Sequence, residues 1–94
     1  MRHFIVVKFD DTVNICELEG QIRELFHRAL DIDGVDKVEI HISNTNLPNR
    51  HNLMIEMMLT QDALKAFDGS EIHKKWKSDY AQYIVQRTIF DCDE

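Results

Sequence analysis

Residues 2–9, Arg2-His3-Phe4-Ile5-Val6-Val7-Lys8-Phe9, carry the reading that decides the fold. β-Branched and aromatic side chains dominate the run, which predicts a strand. Alternation puts His3, Ile5, Val7 and Phe9 on one face and Phe4, Val6 and Lys8 on the other. Both faces are largely apolar, and a strand of that kind has to be covered on both. Whatever packs on the first face, something further has to pack on the second.

Working outward, Asp10-Asp11-Thr12 breaks the strand. Asn14, with Glu17 three residues on, resembles a helix-capping box. Ile15, Leu18, Ile22, Leu25, Phe26, Ala29 and Leu30 then recur at helical spacing, predicting an amphipathic helix from about Asn14 to Leu30. Gly20 lies inside that helix. Asp33-Gly34 ends the segment as a turn. Val35 to Ser43 alternates, with Val38, Ile40 and Ile42 against Lys37, Glu39 and His41, and reads as a strand with one apolar face. A loop over 44–50 holds the sole proline, Pro48. His51 to Leu59 is a third strand, with Leu53, Ile55, Met57 and Leu59 facing one way and Met54, Glu56 and Met58 the other.

Thr60 can cap a short helix carrying Ala63, Leu64 and Phe67, which Asp68-Gly69 interrupts. Ser70 can cap a second helical segment to about Ile84, carrying Ile72, Trp76, Tyr80 and Tyr83. Gln86 to Asp91 is a last strand, followed by an acidic tail. The order is β-α-β-β-α-β with the second helix broken. Two right-handed crossovers then give an α+β, ferredoxin-like subunit: a four-stranded antiparallel sheet with its helices on one face. The other face would expose Phe4, Val6, Met54 and Met58. A second copy of the same sheet is its simplest cover, so a two-fold homodimer with sheets face to face is expected.

Composition agrees. The chain has 94 residues, 44% hydrophobic and 30% charged, as in an ordinary globular protein. That predicts one domain over residues 1–94. A chain this short buries only about 60–65% of its unfolded surface, which favours self-association. The balance is acidic, with 17 Asp plus Glu against 11 Lys plus Arg and a formal charge of −6. Nucleic-acid binders usually carry a basic patch, and no Lys/Arg run here exceeds Lys74-Lys75, so no nucleic-acid partner is expected. No basic amphipathic helix suits a membrane surface, and no run of about 18 apolar residues could span one. The N-terminal apolar run is too short for a signal peptide, and a cytoplasmic location is expected. Cys16 and Cys92 form no CxxC pair and read as free thiols.

These segments together resemble the stress-responsive α/β-barrel, or Dabb, family of dimeric α/β barrels. The opening strand has a His before an apolar run ending Lys8-Phe9. Gly34-Val35 followed by Val38-Glu39 is similar to the family's turn into strand two, and 52–59 is similar to strand three. Leu64 to Phe67, then His73 and Trp76, sit where the family has a Leu, an aromatic residue and a His-Pro-x-His segment. Ile89-Phe90-Asp91 resembles its closing strand. The resemblance covers essentially the whole chain. It implies a single barrel domain whose two sheets close a dimer, and no single activity. One branch, the polyketide cyclases, closes a ring by aldol chemistry in a pocket between sheet and helices, with a Tyr and a His moving protons. The catalytic His falls on His73 and the pocket His of the first strand on His3. The Tyr falls on Phe67, which has no hydroxyl. A third-strand His falls on Asn52. The leading His and Pro of the segment fall on Ser70 and Glu71.

His73 is the candidate general base, since an imidazole titrates near neutral pH; the plainer role is a helix-terminal histidine bonded to backbone. His3, Asn52, Phe67, Trp76 and Tyr80 are the candidate ligand-binding residues. Trp76, Tyr80 and Tyr83 share a helix face with His73 and suit a flat organic ligand, although an aromatic stripe at this spacing is more often core. Tyr80 is one place from which the missing phenol could come. Glu39, His41 and Glu56 project from the face away from the helices, where Lys37 or Arg87 could pair with them. His27 and His51 read as solvated. No nucleophile elbow, P-loop, dinucleotide turn or HExxH occurs, and neither a cofactor nor a metal is expected. Three functions follow: a dimer holding a small apolar or aromatic molecule, a cofactor-free cyclase-, lyase- or oxygenase-like enzyme using His73, and a purely structural homodimer.

Overall fold

The structure is a computed structural model and describes residues 1–93; Glu94, the last residue of the acidic tail, lies outside the described residues. Strand β1 (Arg2–Phe9) leads into helix α1 (Ile15–His27), then β2 (Val35–Ile42) and β3 (Leu53–Leu59). Two short helices follow, α2 (Gln61–Asp68) and α3 (Glu71–Tyr80), and β4 (Ile84–Cys92) closes the chain. The strands form one antiparallel sheet in the order β2-β3-β1-β4. This is the expected α+β, ferredoxin-like arrangement.

The helix starts follow the capping residues. Asn14 accepts from the Cys16 amide at 3.0 Å, the Thr60 hydroxyl from Ala63 at 3.1 Å, and the Ser70 hydroxyl from His73 at 3.3 Å. Each satisfies an amide that the first helical turn leaves without a partner. The ends move further from expectation. α1 stops at His27 and tightens into a 3-10 turn over Arg28–Asp31. That turn rotates Leu30 out of the apolar stripe, leaving it 45% exposed. α3 likewise ends at Tyr80 and passes through a 3-10 turn, Ala81–Tyr83, rather than running on to Ile84. β4 therefore begins at Ile84, two residues before the expected Gln86.

The core lies between the sheet and the helices. Ile5, Val7 and Phe9 of β1, Leu53, Ile55, Met57 and Leu59 of β3, and Val38 and Ile40 of β2 are buried there. Ile22, Leu25 and Phe26 of α1, Phe67 of α2, and Ile72, Trp76 and Tyr80 of α3 meet them. Phe26 sits at the centre, edge-on to Trp76 with ring centroids 5.0 Å apart and 6.0 Å from Phe67. On the opposite face, Phe4, Val6, Met54 and Met58 are half-buried and Phe90 is 58% exposed. No helix among the described residues is long and apolar enough to cross a membrane.

Candidate active site

β1 and β4 pair in a register that sets His3 opposite Asp91, Ile5 opposite Ile89 and Val7 opposite Arg87. Because His3, Ile5 and Val7 face the helices, their β4 neighbours do too. α2 and α3 cross above this corner and leave a cavity of about 330 Å³. Its walls are His3, Ile5, Ile89, Arg87 and Asp91 from the sheet and Leu64, Asp68, His73, Trp76 and Lys77 from the helices.

His3 is 6% exposed and is the one polar residue among the buried side chains described. Its Nδ1 lies 2.5 Å from Asp91 Oδ1. A carboxylate accepts, so Nδ1 carries the donated hydrogen, and a neutral ring then has its lone pair on Nε2. His73 is arranged in the same sense. Its Nδ1 donates to the Asp68 carbonyl at 3.1 Å, a group that can only accept, and Nε2 is again the free nitrogen. The His73 ring packs against Phe67 with centroids 5.4 Å apart. Trp76, 2% exposed, gives the cavity a flat aromatic wall. Arg87 and Lys77 bring positive charge to the rim, balanced by Asp68 and Asp91.

Thus His3, His73 and Trp76 line one cavity. Phe67 lies one layer deeper, fully buried behind His73. The other two candidates sit elsewhere. The Tyr80 hydroxyl donates to Gln21 Oε1 at 3.1 Å, tying α3 to α1. Burial pushes its phenol up, and the nearby Asp79 carboxylate adds to the effect. Asn52 works at the far end of β1. Its Oδ1 accepts from the Phe9 amide at 2.7 Å, its own amide donates to the Val7 carbonyl at 2.9 Å, and its carbonyl accepts from the Ser43 amide at 2.9 Å. It borders a polar cleft of about 600 Å³ with Lys8, Thr12 and Arg50.

Asp91 and Arg87 are site residues that sequence reasoning does not find. Arg87, one of the two cations expected to pair with Glu39, His41 and Glu56, belongs instead to the helix side because its register partner is Val7. Glu56 pairs instead with Arg2, at 3.7 Å, and Glu39 with Lys37, at 2.9 Å. The Lys37 ammonium holds the Glu39 carboxyl below its ordinary range. His27 is exposed as expected. His51 is not solvated as expected: it is half-buried, and its Nε2 is enclosed without a partner among the described residues. Cys16 and Cys92 are free thiols.

No protein-family model matches the sequence, and no curated protein matches it. Solved structures do match in fold. A dimeric ferredoxin-like protein of unknown function from Thermobifida fusca is 14% identical, with a TM-score of 0.77 over 95% of this chain and 85% of that one. A Dabb family protein with a ferredoxin-like fold from Mesorhizobium loti is 15% identical, with a TM-score of 0.73 over 99% of this chain and 94% of its own. A hydroxynitrile lyase from Passiflora edulis is 8% identical, with a TM-score of 0.73 over 95% and 87% of the two chains. At these identities the likeness is one of fold, and it is the fold the sequence resemblance implies.

Proposed function

We propose that this chain is a single-domain member of the stress-responsive α/β-barrel family that forms a homodimer through its open sheet face. Each subunit binds a small apolar or aromatic organic molecule in the cavity between β1–β4 and α2–α3. The His3–Asp91 pair carries the reading. A buried imidazole with one nitrogen tied to a carboxylate at 2.5 Å stands on the wall of a cavity of about 330 Å³ beside a tryptophan. Small ligands bind in concave sites that combine apolar and aromatic walls with convergent polar groups. Here four apolar side chains form the walls beside His3, His73 and a rim of two cations and two carboxylates, and the volume suits a compact ligand. Trp76, Leu64, Ile5 and Ile89 supply the apolar walls; His3 and His73 supply hydrogen bonds that orient the ligand. The dimer is supported by the half-buried and exposed apolar groups of the open face and by the dimeric state of the Thermobifida fusca protein. A reducing, cytoplasmic setting suits the free Cys16 and Cys92.

A second reading, cofactor-free enzymatic proton transfer, has its own observation. Both His73 and His3 have Nδ1 occupied as a donor, which presents Nε2 as a base. In this reading His73 or His3 takes a proton from an acidic C–H or O–H of the ligand. Asp91 stabilises the imidazolium when His3 is the base. Phe67 supplies no phenol, so the acid of the cycle is the same imidazolium returning its proton.

Native mass spectrometry of the protein purified gently from its own source tests the assembly and the ligand together. The expected species has twice the 11.1 kDa chain mass plus a discrete organic adduct. His73→Ala then weakens rebinding of that compound. A bare dimer moves the weight to a structural homodimer, and a bare monomer overturns the barrel.

A further inference from the structure

β2 and β3 pair so that Glu39 stands directly opposite Glu56 on the open face of the sheet. Like charges so placed repel. The two carboxylates divide their oxygens in the same way. Glu39 turns Oε1 to Lys37 Nζ at 2.9 Å and Oε2 to His41 Nε2 at 3.6 Å. Glu56 turns Oε2 to Arg2 Nη1 at 3.7 Å and Oε1 to the same Nε2 at 3.2 Å. The outer oxygens are held by cations. The inner oxygens and the imidazole nitrogen converge, all within 4.8 Å of one another.

We propose that Glu39, His41 and Glu56 bind one divalent transition-metal ion of the zinc class per chain. One imidazole nitrogen with two carboxylate oxygens is a borderline donor set that suits zinc and its neighbours, whereas magnesium and calcium take oxygen throughout. Three protein ligands leave a position that water fills. Lys37 and Arg2 act from outside, fixing the direction of each carboxylate, as outer partners do at metal sites. An ion between the inner oxygens also removes the repulsion that the strand register imposes. In the single chain the Glu39, His41 and Glu56 side chains are 38%, 45% and 17% exposed. They lie on the face through which the proposed dimer pairs, toward its β2 edge, so the ion is bound before or together with pairing. The site is separate from the His3 cavity, which opens on the other face of the sheet.

Calorimetric titration of the full chain with zinc chloride alone, and with cobalt chloride followed by visible absorption, tests the proposal. One zinc per chain and cobalt bands of low coordination number are expected. His41→Ala and Glu56→Gln each lower zinc affinity by roughly 100-fold or more, and Lys37→Ala by roughly 10–100-fold with unchanged stoichiometry. Far-UV circular dichroism checks that the variants fold; Glu39→Gln replaces any that does not. Absence of zinc uptake overturns the site, and is what an imidazolium merely bridging two carboxylates would give. Uptake that survives His41→Ala unchanged overturns it too, placing the ion on other groups. A normal dimer without zinc rejects this site alone; a zinc-binding monomer rejects the dimer alone.

Discussion

The His3–Asp91 contact links residues 88 apart in sequence. Asp91→Ala leaves the Nδ1–H of a buried imidazole without its acceptor. A buried donor left unpaired costs about 1–3 kcal/mol, and the lower end applies because the Asp91 side chain is 44% exposed and water can reach it. Asp91→Asn keeps an acceptor oxygen and loses less. Urea midpoints of the two variants check the order; equal losses would mean that charge, not the hydrogen bond, holds His3. Tyr80 gives a pH test. Its phenol is pushed above the ordinary value of 10.0, so the folded state holds this proton more tightly than the unfolded chain. The associated stability is complete below the unfolded value and is lost as pH rises through the folded one. Tyr80→Phe forfeits the bond to Gln21, about 1 kcal/mol, and flattens the stability loss above about pH 10. An unchanged slope in the variant counts against burial of the phenol. His73 and His3 were legible from sequence as residue types at strand and helix starts. Asp91 and Arg87 were not, because a β4 side chain joins the cavity only through its register with β1, and composition carries no register.

Among the elements, two glycines predict opposite outcomes. Gly34 takes φ +94° between α1 and β2, and a Cβ there would stand 2.6 Å from Thr60 Oγ1 and 3.0 Å from the Ala63 Cβ. The Thr60 amide also donates to the Gly34 carbonyl at 3.0 Å, so the turn is fastened to the start of α2. Gly34→Ala meets both backbone strain and collision with a capping hydroxyl, a loss of roughly 1–3 kcal/mol. Gly20, inside α1, has nothing within 4 Å of the same added atom. Gly20→Ala adds helix propensity without contact and stabilises by about 1 kcal/mol. Thermal denaturation of both variants checks the signs, and a destabilised Gly20→Ala would reveal a neighbour on that helix face. Element type was readable because Asn14, Thr60 and Ser70 announce the three helix starts and the period of apolar residues separates helix from strand. Element ends were less so. A 3-10 turn is a change of winding under tertiary packing, and residues 28–31 carry no signal that sets it apart from more α-helix. The register shift between Val35 and Lys37 likewise brings Val35 and Val38 both to the core, so the strand alternates only from Val38 onward.

At the scale of the whole molecule the remaining question is what covers the sheet. β4 is an edge strand with only its two end residues half-buried; the seven between are exposed. Phe90 stands beside Phe4 on the open face, with ring centroids 6.1 Å apart, and the patch continues through Val6, Met54 and Met58. Among the described residues no element is left to lay over it, since α1, α2 and α3 all pack on the other side. In a two-fold pair every substitution on this face occurs twice. Phe90→Glu removes one aromatic ring and inserts one carboxylate on each side of the proposed interface. Losing the burial of a phenylalanine is worth about 1.5–3 kcal/mol per side. Two sides therefore weaken the dimer by roughly 100-fold or more, at about tenfold per 1.4 kcal/mol. Light scattering behind gel filtration reads this as a shift from twice 11.1 kDa toward the single chain at low micromolar protein. Leu30→Glu is the control, because Leu30 is 45% exposed on the 3-10 turn after α1, away from the sheet face, and should leave the assembly intact. If both variants remain dimeric, the copies meet through some other surface, and the two-faced apolar pattern of β1 requires a different cover.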